Sequence, residues 1–152
     1  MKARELADSI VKYCKAEKLL ISNLQLQKIL YFIELNSLKN RDSLVFDDDL
    51  FEAWKFGPVV PSVYRAYALS GGMPIFFMPK DASFSEEVKP WVFNLVKDAL
   101  QRSPWYLVEL SHTAGGAWDK AYRKTPRSKI SKEDMIYDSN FIHSELITNK
   151  YE

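Results

Sequence analysis

Two histidines, one cysteine and a run of three aspartates are the side chains of this chain most suited to chemistry. A metal centre needs several converging donors, and His112, His143 and Cys14 lie far apart with no ligand spacing. Asp47-Asp48-Asp49 is the nearest thing to a carboxylate cluster. Adjacent residues do not all point at one ion, so a solvated loop is the plainer reading, ahead of an acidic contact patch or a divalent-cation site. A nucleophilic pair of Cys14 and His112 has no sequence support. Cys14 falls on an apolar stripe, where a free thiol behaves as a small hydrophobe. Ser111-His112-Thr113 could form a polar site, although a histidine at a helix end, set against the dipole, explains it equally well. Gly71-Gly72 and Gly115-Gly116 lack the Lys-Ser/Thr pair and the spacing of phosphate loops, and helix termination accounts for both. The expectation is a protein without catalytic residues, metal or cofactor.

One charged feature stands apart. Lys120, Arg123, Lys124, Arg127, Lys129 and Lys132 follow one another with no acidic residue between positions 120 and 132. Such a segment suits a solvated surface, an acidic protein partner or, less favoured, a phosphate backbone. Pro126 breaks it, so it does not define a recognition helix.

The scaffold for these residues is bounded by composition. A chain of 152 residues has the usual size of one domain, here 1–152, and buries roughly two-thirds of its unfolded surface. With 47% hydrophobic residues a real core is expected, and a net charge of +1 demands no bulk polyanion as partner. Cys14 alone cannot close an internal disulfide, which fits a reducing compartment. Asp8 and Lys12 interrupt any leader-like run, and no stretch approaches the ~20 apolar residues of a membrane span. A cytoplasmic location with no membrane partner is expected.

The pattern predicts a mainly α, compact single-domain helical bundle with a small two-stranded β element. Ala3, Leu6, Ala7, Ile10, Val11 and Cys14 mark an amphipathic helix ending near Lys18. Ser22 opens a second helix, with Gln25 placed for a capping box and Leu26, Ile29, Leu30 and Ile33 on its apolar face. Tyr31 and Phe32 broaden that face, which makes this helix central. Leu50 to Phe56 reads as extended chain and Gly57-Pro58 as a turn. Pro61 suits the first turn of a helix whose face carries Val63, Tyr64, Tyr67 and Ala68. Ile75 to Met78 is a candidate second strand, pairing near Glu52–Trp54. Ser85 is the expected cap of a long helix carrying Val88, Trp91, Val92, Leu95, Val96, Ala99 and Leu100. Ser103-Pro104 starts another, Trp118 and Tyr122 share a short one, and Ser131 caps the last. After His143 the periodicity weakens and fraying is expected.

Gln27, Lys28 and Tyr31 share one region of the second helix, since spacings of three and four lie on one face. Trp54 follows in the extended segment. Aromatics beside a few polar groups make good contact anchors, although Tyr31 and Trp54 also suit a core. Gln27, an amide beside an apolar stripe, is suited to bonding irregular backbone near Trp54 to Pro58.

These residues carry a resemblance. Leu26-Gln27-Lys28-Ile29-Leu30-Tyr31-Phe32 resembles the motif helix of the Panacea antitoxin domain family. Ala53-Trp54-Lys55-Phe56-Gly57-Pro58-Val59, followed by Val63-Tyr64, is similar to its second hallmark. Leu110-Ser111-His112-Thr113, then Gly116-Ala117-Trp118, is similar to the third, with His112 and Thr113 in inverted order and Ala117 where a proline is common. The likeness runs from about Leu6 to Tyr137. It implies a non-enzymatic, mainly helical binding module of bacterial and phage-associated proteins. Such antitoxins neutralise the toxin encoded next door by direct binding, and one type resembles an adaptor that delivers its toxin to a protease. The residues implied in contact or in shaping the site are Gln27, Lys28, Tyr31, Trp54, Gly57, Pro58, Tyr64, His112 and Trp118.

Overall fold

The apolar stripe near the N-terminus forms α1 (Ala3–Ala16), whose buried residues include Cys14. The next helix, α2 (Asn23–Arg41), starts with a complete capping box. The Ser22 Oγ accepts from the Gln25 amide at 3.2 Å, and Gln25 Oε1 accepts from the Ser22 amide at 2.9 Å. The computed structural model describes residues 1–151, and within them α2 is buried on every face from Leu26 to Leu38. A helix enclosed on all sides is a core axis rather than a surface element. Its polar side chains must therefore find partners inside the protein.

Around this axis pack α4 (Pro90–Leu100), α5 (Pro104–Ser111) and α7 (Lys132–Phe141), while α6 (Ala117–Lys124) lies against α7 and the sheet. Ser103 and Ser131 cap α5 and α7 by accepting the amides of Tyr106 and Asp134, each at 3.1 Å. The long helix expected from Ser85 begins instead at Pro90, with Lys89 as its N-cap. A start at Ser85 would put Pro90 inside the helix, where proline removes a hydrogen bond and clashes with the preceding turn.

The sheet differs from the expected pairing. β1 (Glu52–Trp54) pairs antiparallel with β2 (Gly57–Val59), so Gly57-Pro58 belongs to a strand and Lys55-Phe56 to the turn. Pro58 is tolerated because of its register. It faces Ala53, whose amide donates to Ser128 O at 2.8 Å and whose carbonyl accepts from Arg127 N at 2.7 Å, both away from β2. Ala53 and Pro58 are therefore a non-hydrogen-bonded pair, where the missing N–H costs nothing. Residues 127–130 run along the other edge of β1, and the Ile130 amide donates to Phe51 O at 2.8 Å. Ile75 does not join this sheet. Its amide donates to Ile21 O at 2.8 Å, beside a Ser22–Pro74 bridge.

Pro61 opens α3 (Pro61–Ala66) at its first turn, and a 3-10 turn follows at Ala68–Ser70. The expected face is split: Val63 and Tyr67 are buried, while Tyr64 and Ala68 are exposed. The stretch after His143, expected to fray, packs against α2. Leu146 and Ile147 are fully buried. Asn36 Nδ2 donates to the carbonyls of Leu146 at 2.9 Å and Thr148 at 2.8 Å, and Asn40 Nδ2 to that of Ile147 at 2.9 Å. Polar side chains of α2, invisible to an apolar count, hold this segment. The architecture is mainly helical with a two-stranded sheet, as the pattern predicts. No helix among the described residues is long and apolar enough to cross a membrane.

Candidate functional site

Two consecutive side chains of α2 hold β2 from behind. Gln27 Oε1 accepts from the Val60 amide at 2.9 Å, and its Nε2 donates to Asn23 Oδ1 at 2.9 Å. Asn23 in turn donates to the Tyr64 carbonyl at 3.0 Å. Lys28 Nζ donates to the Pro58 carbonyl at 2.9 Å. That carbonyl is available because a non-hydrogen-bonded position turns its peptide groups away from the paired strand. Gln27 and Lys28 thus fix the start of α3 and the whole of β2 to the central helix.

Lys28 is fully buried, and burial pulls its pKa down to about 7. Behind it lies Ser111, whose hydroxyl donates to Val108 O at 2.8 Å. Next to Ser111, His112 forms the C-cap of α5, as a helix-end histidine should. Burial and then the Lys28 charge lower its pKa, which disfavours a cation at the dipole. Its ring stacks on Trp118 at 3.8 Å, and Trp118 stacks on Tyr122 at 4.8 Å. Trp118 Nε1 donates to the Trp54 carbonyl at 2.6 Å, so the stack is tied to the end of β1.

In front of β1 and β2 opens a pocket of about 440 Å³. Trp54 forms one wall, with the Tyr64 ring edge-on at 4.9 Å and the Arg127 guanidinium over its face at 4.2 Å. Trp54 Nε1 is held by Glu52 Oε1 at 2.9 Å. Phe56, at the hairpin tip, is exposed and meets the exposed Trp105 edge-on at 6.2 Å. Gln27 and Lys28 lie at the pocket floor.

Of the residues singled out by sequence, the structure brings Gln27, Lys28, Trp54 and Tyr64 to this pocket, with Gly57, Pro58, His112 and Trp118 packed as support. Tyr31 stands elsewhere. Its hydroxyl donates to Asp138 Oδ2 at 2.6 Å, and Asp138 Oδ1 accepts the Ala117 amide at 2.8 Å, joining α2, α6 and α7 in the interior. The basic residues do not form one face. Lys120 pairs with Asp134 at 3.8 Å and Arg123 with Asp119 at 2.9 Å. Arg127 reaches the pocket, Lys129 lies beside Glu52 on the edge of β1, and Lys132 opens α7. Asp138 and Asn23 went unnoticed in the sequence, since an isolated polar residue in a helix carries no spacing signal. Two of the three aspartates serve the fold: Asp48 Oδ1 accepts the Ala3 amide at 2.8 Å and Asp49 Oδ2 the Ser62 hydroxyl at 2.7 Å. No group of three or more His, Cys, Asp or Glu placed to hold a metal occurs among the described residues.

The family described as "Antitoxin SocA-like, Panacea domain" matches residues 26–119, which run from Leu26 in α2 through the hairpin, α3, α4 and α5 to the start of α6. The chain belongs to this antitoxin family. It is also 32% identical over 133 residues to "Antitoxin SocA" of Caulobacter vibrioides (strain NA1000 / CB15N), covering 77% of this chain and 68% of that one. No solved structure matches the chain. The three regions that resemble the family's motifs meet at one place here: the helix supplies the braces, the hairpin the pocket wall, and the third region the stack beneath it.

Proposed function

We propose that this Panacea-family protein is an antitoxin that neutralises a cognate toxin, encoded by a neighbouring gene, through direct protein–protein contact. The observation that carries the reading is the pocket in front of the hairpin. Its backbone is fixed by Gln27 and Lys28, while the aromatic rings of Trp54, Phe56 and Tyr64 stand at its mouth. Rigid, partly exposed aromatics around a preformed concavity are the usual anchors of a protein interface. The braces keep that surface in one shape, which lowers the ordering cost of binding. Contact here blocks the toxin or holds it in an inactive form.

Co-expression with each adjacent gene tests the reading. The expected result is one neighbour that stops growth alone, is tolerated with this protein, and co-purifies with it. Rescue with a shortened half-life of the neighbour protein instead marks delivery to a protease. If no neighbour is toxic and none co-purifies, the reading fails. A gel shift with upstream DNA at several salt concentrations checks for operon binding.

A further inference from the structure

We infer that the pocket in front of the hairpin seats an extended segment of the partner that carries acidic residues next to bulky apolar ones. This deepens the antitoxin reading and rests on it for the partner's nature as a protein. Two exposed cations, Lys55 and Arg127, line the pocket above the buried Lys28, and no carboxylate lines it. The nearest acid on the hairpin, Glu52, is occupied by Trp54 Nε1. The Arg127 guanidinium stands over the Trp54 ring at 4.2 Å, and its side chain makes no ion pair or hydrogen bond among the described residues. Its N–H donors thus remain for an incoming carboxylate, which a guanidinium matches in shape. The exposed Lys124 and Lys129 lie close along the chain and form no ion pair among the described residues, so the local field is positive although the whole chain is near neutral.

Exposed apolar side chains accompany the lining residues, in contact with Phe56 or next to Gly71-Gly72 in the chain. Phe56 and Trp105 are 47% and 60% exposed on one side. Leu69 and Met73, which flank the lining glycines Gly71-Gly72, are 78% and 67% exposed. Large apolar side chains left in solvent around a concavity mark a surface that a partner covers. A nucleic acid strand would use the aromatic rings and cations but not the exposed apolar side chains near them in the chain. A peptide alternating Asp or Glu with Leu or Phe satisfies both the cations and the apolar groups.

The test is selection of a random 12-residue display library on the full chain, followed by affinity of the enriched peptides. The expected consensus is acidic and apolar, and its peptides bind Arg127→Glu and Lys55→Glu about tenfold or more weakly than the parent. Circular-dichroism melts of both variants confirm folding, and Lys55, exposed at the hairpin turn, serves if Arg127→Glu does not fold. A basic or uncharged consensus, no enrichment, or unchanged affinity in a folded variant overturns the proposal. Displacement of the peptides by a 12-nucleotide oligo-dT that binds more tightly would overturn it in favour of nucleic acid. The selection does not depend on a neighbouring toxin, so its failure and the failure of growth rescue are separate results.

Discussion

The ε-carbon of Lys28 stands where a side chain on residue 57 would begin: a β-carbon built on Gly57 lies 2.8 Å from it and 2.6 Å from Ser111 Oγ. Gly57 also has φ +113°, a backbone region that side chains rarely adopt. Both constraints act on one atom. Gly57→Ala is expected to destabilise the protein by about 2–4 kcal/mol, or to prevent folding. Urea denaturation measures this, and an unchanged midpoint would show that hairpin and lysine can move apart.

Lys28 also makes stability depend on pH. Its folded pKa of about 7 lies below the ordinary 10.5, so between those values the unfolded chain binds more protons. The burial cost is complete below pH 7 and is relieved as pH rises towards 10.5. Lys28→Met abolishes that slope. From pH 7 to 9.5 the parent is expected to gain up to about 3 kcal/mol relative to Lys28→Met in urea unfolding. Glu34, buried and pushed up to about 8, contributes the opposite slope, stability lost as pH rises from 4.5 through 8, but equally in both proteins. A flat difference between the two curves refutes the assignment to Lys28.

Tyr31→Phe tests the interior junction of α2, α6 and α7. It removes the donor to Asp138, a carboxyl whose pKa burial already raises. A loss of about 1–3 kcal/mol is expected, the cost of leaving a buried acceptor unsatisfied. Thermal melts of the variant report it, and a parent-like melting temperature would mean that Asp138 finds another donor.

Tyr64→Ala separates surface from scaffold. The Tyr64 ring is 38% exposed, and only its backbone carbonyl is bound by Asn23. The variant is expected to fold and to bind the rescued toxin roughly 10–100-fold more weakly. Trp54→Ala is expected to weaken binding as well, but also to lower stability, since Trp54 carries the contacts to Tyr64, Arg127 and Glu52. Calorimetric titration beside a melt distinguishes the two, and parent-like affinity of a folded Tyr64→Ala removes that ring from the interface.

The helices are readable where a cap or an apolar period announces them, except that Ser85 is no cap and its helix starts at Pro90. Ser22 with Gln25, Ser103 and Ser131 each cap as their spacing implies. The hairpin was misread because Gly-Pro is a turn signal only without knowledge of register. Here the position of Pro58 opposite Ala53 makes proline harmless, while the true turn, Lys55-Phe56, has no turn composition. The site was legible as motif residues but not as geometry. Nothing in one sequence places Gln27 against Val60 or Arg127 on Trp54, because these contacts are set by how helix, hairpin and the 127–130 segment dock. Asp138 illustrates the same limit, since its role depends on two partners far away in the chain.

That junction bears on how far the domain can travel. The family match ends at 119, yet the acceptor for Tyr31 sits in α7, and residues 127–130 cover the open edge of β1. A graft of the matched stretch into another chain would strand a buried hydroxyl and bare a strand edge, an invitation to self-association. The portable unit, the piece that recombination or an engineer can move intact, extends through the helix that carries Asp138 and on to the 146–148 carbonyls that Asn36 and Asn40 bind.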